Sequence, residues 1–242
     1  MRISTIFIIL GMLIISMYCL IDVSYYASQV SVTEHYNTSN TPLVNIPSID
    51  VTEKINNKSV FYGVYHEPES KKPNKGTVII FGHRTMYGSP FMELDKLKVG
   101  QKIYLEWPGI GKAEYVVSKT FIVPASYRIS IKQGKKLFLI TCHPLGSSRQ
   151  RLIVESNLTK ISPLSEQVYK DNPQNYYALL IIVGFLLSGL VLTYFYPVQE
   201  DKIILLSAVI GCTLFLVLGY LFPIPPDFIS SQLSTINNLL GI

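Results

Sequence analysis

Cysteine is scarce in this chain: of 242 residues only Cys19, Cys142 and Cys212 carry a thiol. Cys19 and Cys212 fall inside long apolar runs, where a cysteine acts as a small apolar filler. Cys142 is the single thiol of the polar region, which excludes a disulfide within that region and marks it as a candidate nucleophile. The competing reading is an inert buried thiol. Charge is sparse too, with Asp, Glu, Lys and Arg making up 15% of the residues. The net charge of +5 comes from scattered lysines rather than a massed patch. That is the pattern of a solvated surface, so no nucleic-acid partner is expected. Zinc-ligand spacing, a P-loop and a dinucleotide fingerprint are all missing, and no internal repeat occurs.

What the chain has in excess is hydrophobicity, at 48% of residues, and it is concentrated. Residues 5–21, 176–197 and 203–224 are almost wholly apolar, each near the roughly 20 residues a helix needs to cross a bilayer. The expected organisation is therefore a membrane protein with one external domain. Residues 1–23 read as an uncleaved signal-anchor helix, 24–41 as a stalk, 42–162 as the globular domain and 163–175 as a linker. Two further spans, 176–197 and 203–224, are joined by a short cytoplasmic loop at 198–202, and 225–242 form an external amphipathic or disordered tail. Arg2 favours a cytoplasmic N-terminus and hence an extracellular domain. The loop, with Lys202 against Glu200 and Asp201, adds nothing to that assignment.

Within the domain, short β-branched and aromatic runs alternate with turn residues. Strands are expected at Leu43–Pro47, Ile49–Val51, Ser59–Val64, Thr77–Phe81, Gln101–Trp107, Ala113–Val123, Leu137–Thr141 and Arg151–Ser156. Pro90–Leu97 reads as one short helix with Ser89 as its cap. Many short strands with one helical insert predict a mainly β domain, a closed or nearly closed barrel.

Three residues stand at the ends of these strands. His83 follows the Thr77–Phe81 run, Cys142 closes the Leu137–Thr141 run, and Arg151 opens the next. In a barrel they meet at one rim. An imidazole beside a thiol stabilises the thiolate and can later protonate a leaving amine. An arginine stays charged, so it holds developing negative charge but cannot act as the acid. The bland alternatives are a turn histidine bound to backbone and a strand arginine in an ion pair. His143 adjoins the thiol, but neighbours on a strand point to opposite faces, so it ranks second.

With these residues in place the sequence resembles the sortase family. Thr141-Cys142 closing an apolar strand, with Arg151 nine positions on, resembles the sortase signature. Phe81-Gly82-His83-Arg84-Thr85 followed by Tyr87-Gly88-Ser89-Pro90-Phe91, and Leu94 to Ile103 beyond, is similar to its histidine segment. The GHRT and TCHP forms are most similar to class E, with classes C and D next. The resemblance spans about 42–160 and implies an eight-stranded β-barrel that acts as a cysteine transpeptidase. Cys142 would be the nucleophile, His83 the general acid, and Arg151 the group that positions substrate or holds the oxyanion. Thr141, Arg84 and Tyr87 would contact substrate. The implied substrate is a secreted protein with an LPXTG- or LAXTG-like C-terminal sorting signal. It would be cleaved through a thioacyl intermediate and passed to an amine on the cell envelope or a pilin-like subunit. No metal or other cofactor is required by that chemistry. The two C-terminal spans depart from the usual family pattern, and neither an acidic calcium cluster nor an Asp-Pro lid motif stands out. An L,D-transpeptidase would carry a His-Gly-Cys motif, absent here. A thiol hydrolase on the same barrel and a non-catalytic membrane-anchored binding module are the remaining alternatives.

Overall fold

The structure is a computed structural model, and the description covers residues 2–36, 41–164, 176–225 and Phe228. The chain divides into two compact units, His35–Asn172 and a helical unit formed by Met1–Glu34 with Pro173–Ile242.

The first unit is a closed barrel of eight strands: β1 Leu43–Ile46, β2 Val51–Asn56, β3 Val64–His66, β4 Val78–Phe81, β5 Lys102–Trp107, β6 Gly111–Pro124, β7 Lys136–His143 and β8 Gln150–Ser162. Their order around the barrel is β1-β2-β3-β4-β7-β8-β6-β5, closed by antiparallel pairing of β5 with β1. The expected mainly β barrel is therefore present. Alternate residues fill the interior, among them Val44, Ile80, Leu105, Leu137, Leu139 and Val154. β4, β7 and β8 are apolar on the outer face as well, where Ile79, Phe138, Ile140 and Ile153 pack under Phe81, Phe121, Val123 and Ile129. This two-sided burial is why these strands read as continuous apolar runs rather than alternating ones.

Two local expectations are corrected. Ser59–Val64 is not one strand: Val60–Tyr62 forms a 3-10 turn, and the strand begins only at Val64. Asn56 initiates the break, its side-chain oxygen accepting from the Lys58 and Ser59 amides at 2.9 and 3.1 Å. The short helix is one 3-10 turn, Leu94–Lys96, rather than Pro90–Leu97. The buried residues Phe91, Leu94 and Leu97 recur every third position, which matches three residues per turn.

In the helical unit, α1 spans Ile3–Tyr36, α2 Tyr177–Phe195 and α3 Lys202–Leu221. The segment read as a stalk from residue 24 is helical to Tyr36, since no glycine or proline stops the helix there. Ile3–Ser28, Tyr177–Phe195 and Gln199–Leu221 are long and apolar enough to cross a membrane. Leu20, Val23, Ala178, Ile182 and Leu216 form a shared core. At one end of the bundle Asp201 accepts from the Arg2 amide at 2.9 Å and the Thr5 hydroxyl at 2.6 Å. Thr5 also meets the Tyr196 hydroxyl at 2.7 Å. The start of α1 and the α2–α3 turn thus lie at the same end. Residues 165–175 of the 163–175 linker and, apart from 225 and Phe228, the tail lie outside the described residues.

Candidate active site

β4 and β7 run parallel, with Phe81 opposite Ile140. The pairing continues one residue past β4, where the Gly82 amide donates to the Ile140 carbonyl at 3.1 Å. The Thr141 hydroxyl returns a 2.8 Å bond to the Gly82 carbonyl. Glycine is required at 82 because a Cβ there would sit 2.5 Å from the Phe91 ring. Phe91 in turn donates its amide to the His83 carbonyl at 3.0 Å. On the other side of β7, the antiparallel register sets Cys142 directly opposite Arg151. One residue from each of three neighbouring strand ends is thereby brought together.

His83, Cys142 and Arg151 line one cavity of about 430 Å³ together with Phe61, Phe81 and Ile140. Cys142 and Arg151 lie on the face of β7 and β8 that carries Ile140 and Ile153, so the site opens on the outside of the barrel. Arg151 donates through Nη1 to the Cys142 sulfur at 3.6 Å and to the carbonyls of Ser148 and Gln150 at 2.8 and 3.1 Å. The carbonyls of the β7–β8 turn thus aim a permanent cation at the thiol.

The His83 ring stacks on Phe61, with centroids 5.6 Å apart and planes 29° apart, and faces Tyr87 at 4.9 Å. Its Nε2 is buried with no hydrogen-bond partner among the described residues. Burial among these rings disfavours the imidazolium and pushes the His83 pKa down to about 4. At neutral pH the ring is therefore neutral, able to take a proton rather than holding one in reserve.

Thr141 is buried and borders the cavity. Arg84 and Tyr87, expected at the substrate, are not brought into it. Arg84 is 5% exposed and paired with Asp95 at 2.6 Å on the opposite side of the strand ends. Tyr87 is buried against His83 and Phe61. His143 points away from the thiol as strand alternation requires, its Nδ1 3.1 Å from Arg84 Nη1. Phe61 and Tyr65 are lining residues that sequence reasoning missed; an aromatic within the expected strand and another just past its end carried no sign of facing a site on β4. A second cavity of about 400 Å³ shares Phe81, Ile140 and Arg151 with the first, and its walls include Glu67, Tyr127 and Arg128. Among the described residues, no three or more His, Cys, Asp and Glu side chains gather as metal ligands.

The chain is similar to solved sortases across its barrel. Sortase A from Listeria monocytogenes shares 23% identity over 54% of this chain and 94% of its own, with a TM-score of 0.46. Sortase E1 from Streptomyces coelicolor, solved with a tripeptide in its active site, shares 22% over 56% and 96%, also with a TM-score of 0.46. Sortase C1 from Streptococcus agalactiae shares 26% over 50% and 68%, with a TM-score of 0.45. No curated protein matches the chain. Residues 43–159, from the start of β1 almost to the end of β8, match the family model of the sortase domain. On that family match the barrel is a sortase domain, and the chain that carries it is a cysteine transpeptidase.

Proposed function

We propose that this protein is a multi-pass membrane sortase whose outer-face site cleaves a C-terminal sorting signal and joins the released acyl group to an amine. The observation that carries this reading is the cross-strand pair, Arg151 opposite Cys142 with Nη1 3.6 Å from Sγ, in a cavity that also takes in His83. Cys142 Sγ attacks the carbonyl carbon of the scissile bond, and the thiol proton passes to the neutral His83 ring. The carbonyl oxygen takes up negative charge against the Arg151 guanidinium, which costs no reorganisation because the turn carbonyls already hold it. Collapse breaks the C–N bond, and the His83 imidazolium gives its proton to the departing amine. An incoming amine then attacks the thioacyl carbon and loses a proton to His83, and the thiol is released. Cys142 is thus the nucleophile, His83 first base and then acid, and Arg151 the oxyanion partner.

The apolar floor of Phe81 and Ile140, shared with the second cavity, supports an extended peptide substrate of LPXTG or LAXTG type on a secreted protein. The Gly82-His83-Arg84-Thr85 and Thr141-Cys142-His143-Pro144 segments favour a class E-like branch. Three apolar helices support a membrane anchor. Because Arg2 and Asp201 meet, a cytoplasmic N-terminus carries the α2–α3 turn to the same side. An odd number of spans then leaves the barrel, between the first and second, on the extracellular face. The acceptor is an amine of the cell envelope or of another protein subunit.

The test is intact mass spectrometry of the full chain in nanodiscs, incubated with LPXTG- and LAXTG-type peptides and an amine. A thioacyl adduct on Cys142 that passes to the amine, and is missing in Cys142→Ala, is the expected result. Resolution by water alone would make the protein a hydrolase. An accessible Cys142 that forms no adduct with any peptide would leave a binding module.

A further inference from the structure

Past the end of β4 the chain stays beside β7 for three more residues, joined to it by one backbone bond and then by side chains. Phe81 and Ile140 face the cavity. Gly82 and Thr141 are joined by their 2.8 Å bond, His83 and Cys142 line the cavity again, and Arg84 meets His143 on the opposite side. Arg84 and His143 are thus each the next residue after a member of the reacting pair, and they hold one another at 3.1 Å. Arg84 is 5% exposed and each guanidinium nitrogen has a partner: Nη2 on Asp95 at 2.6 Å, Nε on the Met92 carbonyl at 3.2 Å, and Nη1 on His143. Arginine only donates, so His143 Nδ1 is the acceptor and its ring carries its proton on Nε2.

We infer that Arg84 is a positioning residue that clamps the chain after His83 to the chain after Cys142, fixing the distance between base and nucleophile from the side that substrate does not reach. The inference rests on the roles proposed above for Cys142 and His83. Before Arg84, Gly82 joins the two segments, its amide on the Ile140 carbonyl and its carbonyl on the Thr141 hydroxyl. The β4 ladder ends at Phe81, and the 84–93 segment contains consecutive left-handed residues, Tyr87 (φ 55°), Gly88 (φ 75°) and Ser89 (φ 47°). That turn is closed on itself by the Ser89 amide on the Met86 carbonyl and the Phe91 amide on the His83 carbonyl, and neither bond reaches β7. The Arg84 anchors on Met92 and Asp95 fasten the turn's far side to the same guanidinium, so one side chain gathers both ends of the His83 segment and the end of β7. Lysine cannot replace it, because one ammonium cannot span three acceptors in the fixed geometry of a planar fork.

The experiment uses the full chain in nanodiscs and compares Arg84→Met, Arg84→Lys, His143→Asn, His143→Leu and the double variant Arg84→Met/His143→Leu. Two readouts are taken: steady-state kinetics with the peptide and amine that give the wild-type adduct, and amide hydrogen exchange. Arg84→Met and His143→Leu should each lower kcat about 30-fold, the scale of an ångström-sized misplacement. KM should stay within about twofold, because neither residue touches substrate. The double variant should be no slower than either single one, and His143→Asn, which keeps an acceptor, should stay within about threefold of wild type. Exchange in segments 82–91 and 141–143 should quicken together. A raised KM at unchanged kcat would return Arg84 to substrate binding and overturn the clamp, as would multiplicative losses in the double variant. If the wild-type chain acylates no peptide, the sortase reading fails while exchange still decides the clamp: unlinked protection of the two segments overturns it.

Discussion

The two faces of the β4 and β7 ends are built from the same six residues and treat polar groups in opposite ways. On the inward face the polar side chains are bonded to the protein: Thr141 to the Gly82 carbonyl, and Arg84 to His143, Asp95 and Met92. On the outward face His83 Nε2 is buried with no partner among the described residues, and Cys142 has the Arg151 guanidinium at 3.6 Å. A buried, unsatisfied imidazole costs stability, since an unmade hydrogen bond leaves its desolvation unbalanced. The inward face spends its polarity on holding the strand ends, and the outward face, in the proposed reaction, keeps its polarity for a substrate. A site of this kind needs both, because the outward groups are only as well placed as the strand ends that carry them.

Substitutions on the outward face should have the largest effects and those on the inward face progressively smaller ones. His83→Ala should lower kcat by about 10³-fold, the upper part of the range for an acid–base group, with thermal stability unchanged or raised. A comparable loss of Tm would instead make His83 structural. Arg151→Lys should cost about 10²-fold in single-turnover acylation, since an ammonium loses the turn carbonyls that orient the fork. An acylation rate equal to wild type would remove Arg151 from the chemistry.

The same depressed His83 pKa also predicts an acid-sensitive fold. The unfolded chain protonates His83 near pH 6.5 and the folded one only near 4. The contribution is fully present above pH 6.5 and lost as pH falls towards 4, up to about 3 kcal/mol in total. Denaturant titrations of wild type and His83→Phe at pH 7.5 and 4.5 read this directly; equal pH slopes would contradict it. Gly82→Ala should destabilise by about 1–3 kcal/mol, because the new methyl overlaps Phe91. Thr141→Val, which leaves the buried Gly82 carbonyl without its partner, should cost about 1–2 kcal/mol by thermal or chemical unfolding while KM stays unchanged.

Much of the barrel could be read in the sequence because the strands nearest the site are buried on both faces. Their apolar runs at Thr77–Phe81 and Leu137–Thr141 stand out without any knowledge of pairing. The convergence of His83, Cys142 and Arg151 followed from their positions at strand ends, and the inward turn of His143 away from the thiol from simple alternation. The same alternation argues against Arg84 at the substrate, since it follows a residue that faces the cavity; only the resemblance put it there. Phe61 was not legible as a site residue because its segment forms a 3-10 turn, set by Asn56 side-chain bonds that propensity does not encode. The helix at Pro90–Leu97 shrank to one turn for a tertiary reason: Asp95 is held by Arg84, and Phe91, Leu94 and Leu97 pack inward every third residue.

The most direct test of the central claim is an experimental structure of the full chain with a sorting-signal peptide mimetic disulfide-linked to Cys142. The expected result is the peptide lying over Phe81 and Ile140, with the carbonyl at the scissile position accepting from the Arg151 guanidinium and His83 beside the leaving nitrogen. A peptide seated with that carbonyl turned away from Arg151, or with His83 out of reach of the leaving nitrogen, would contradict the account.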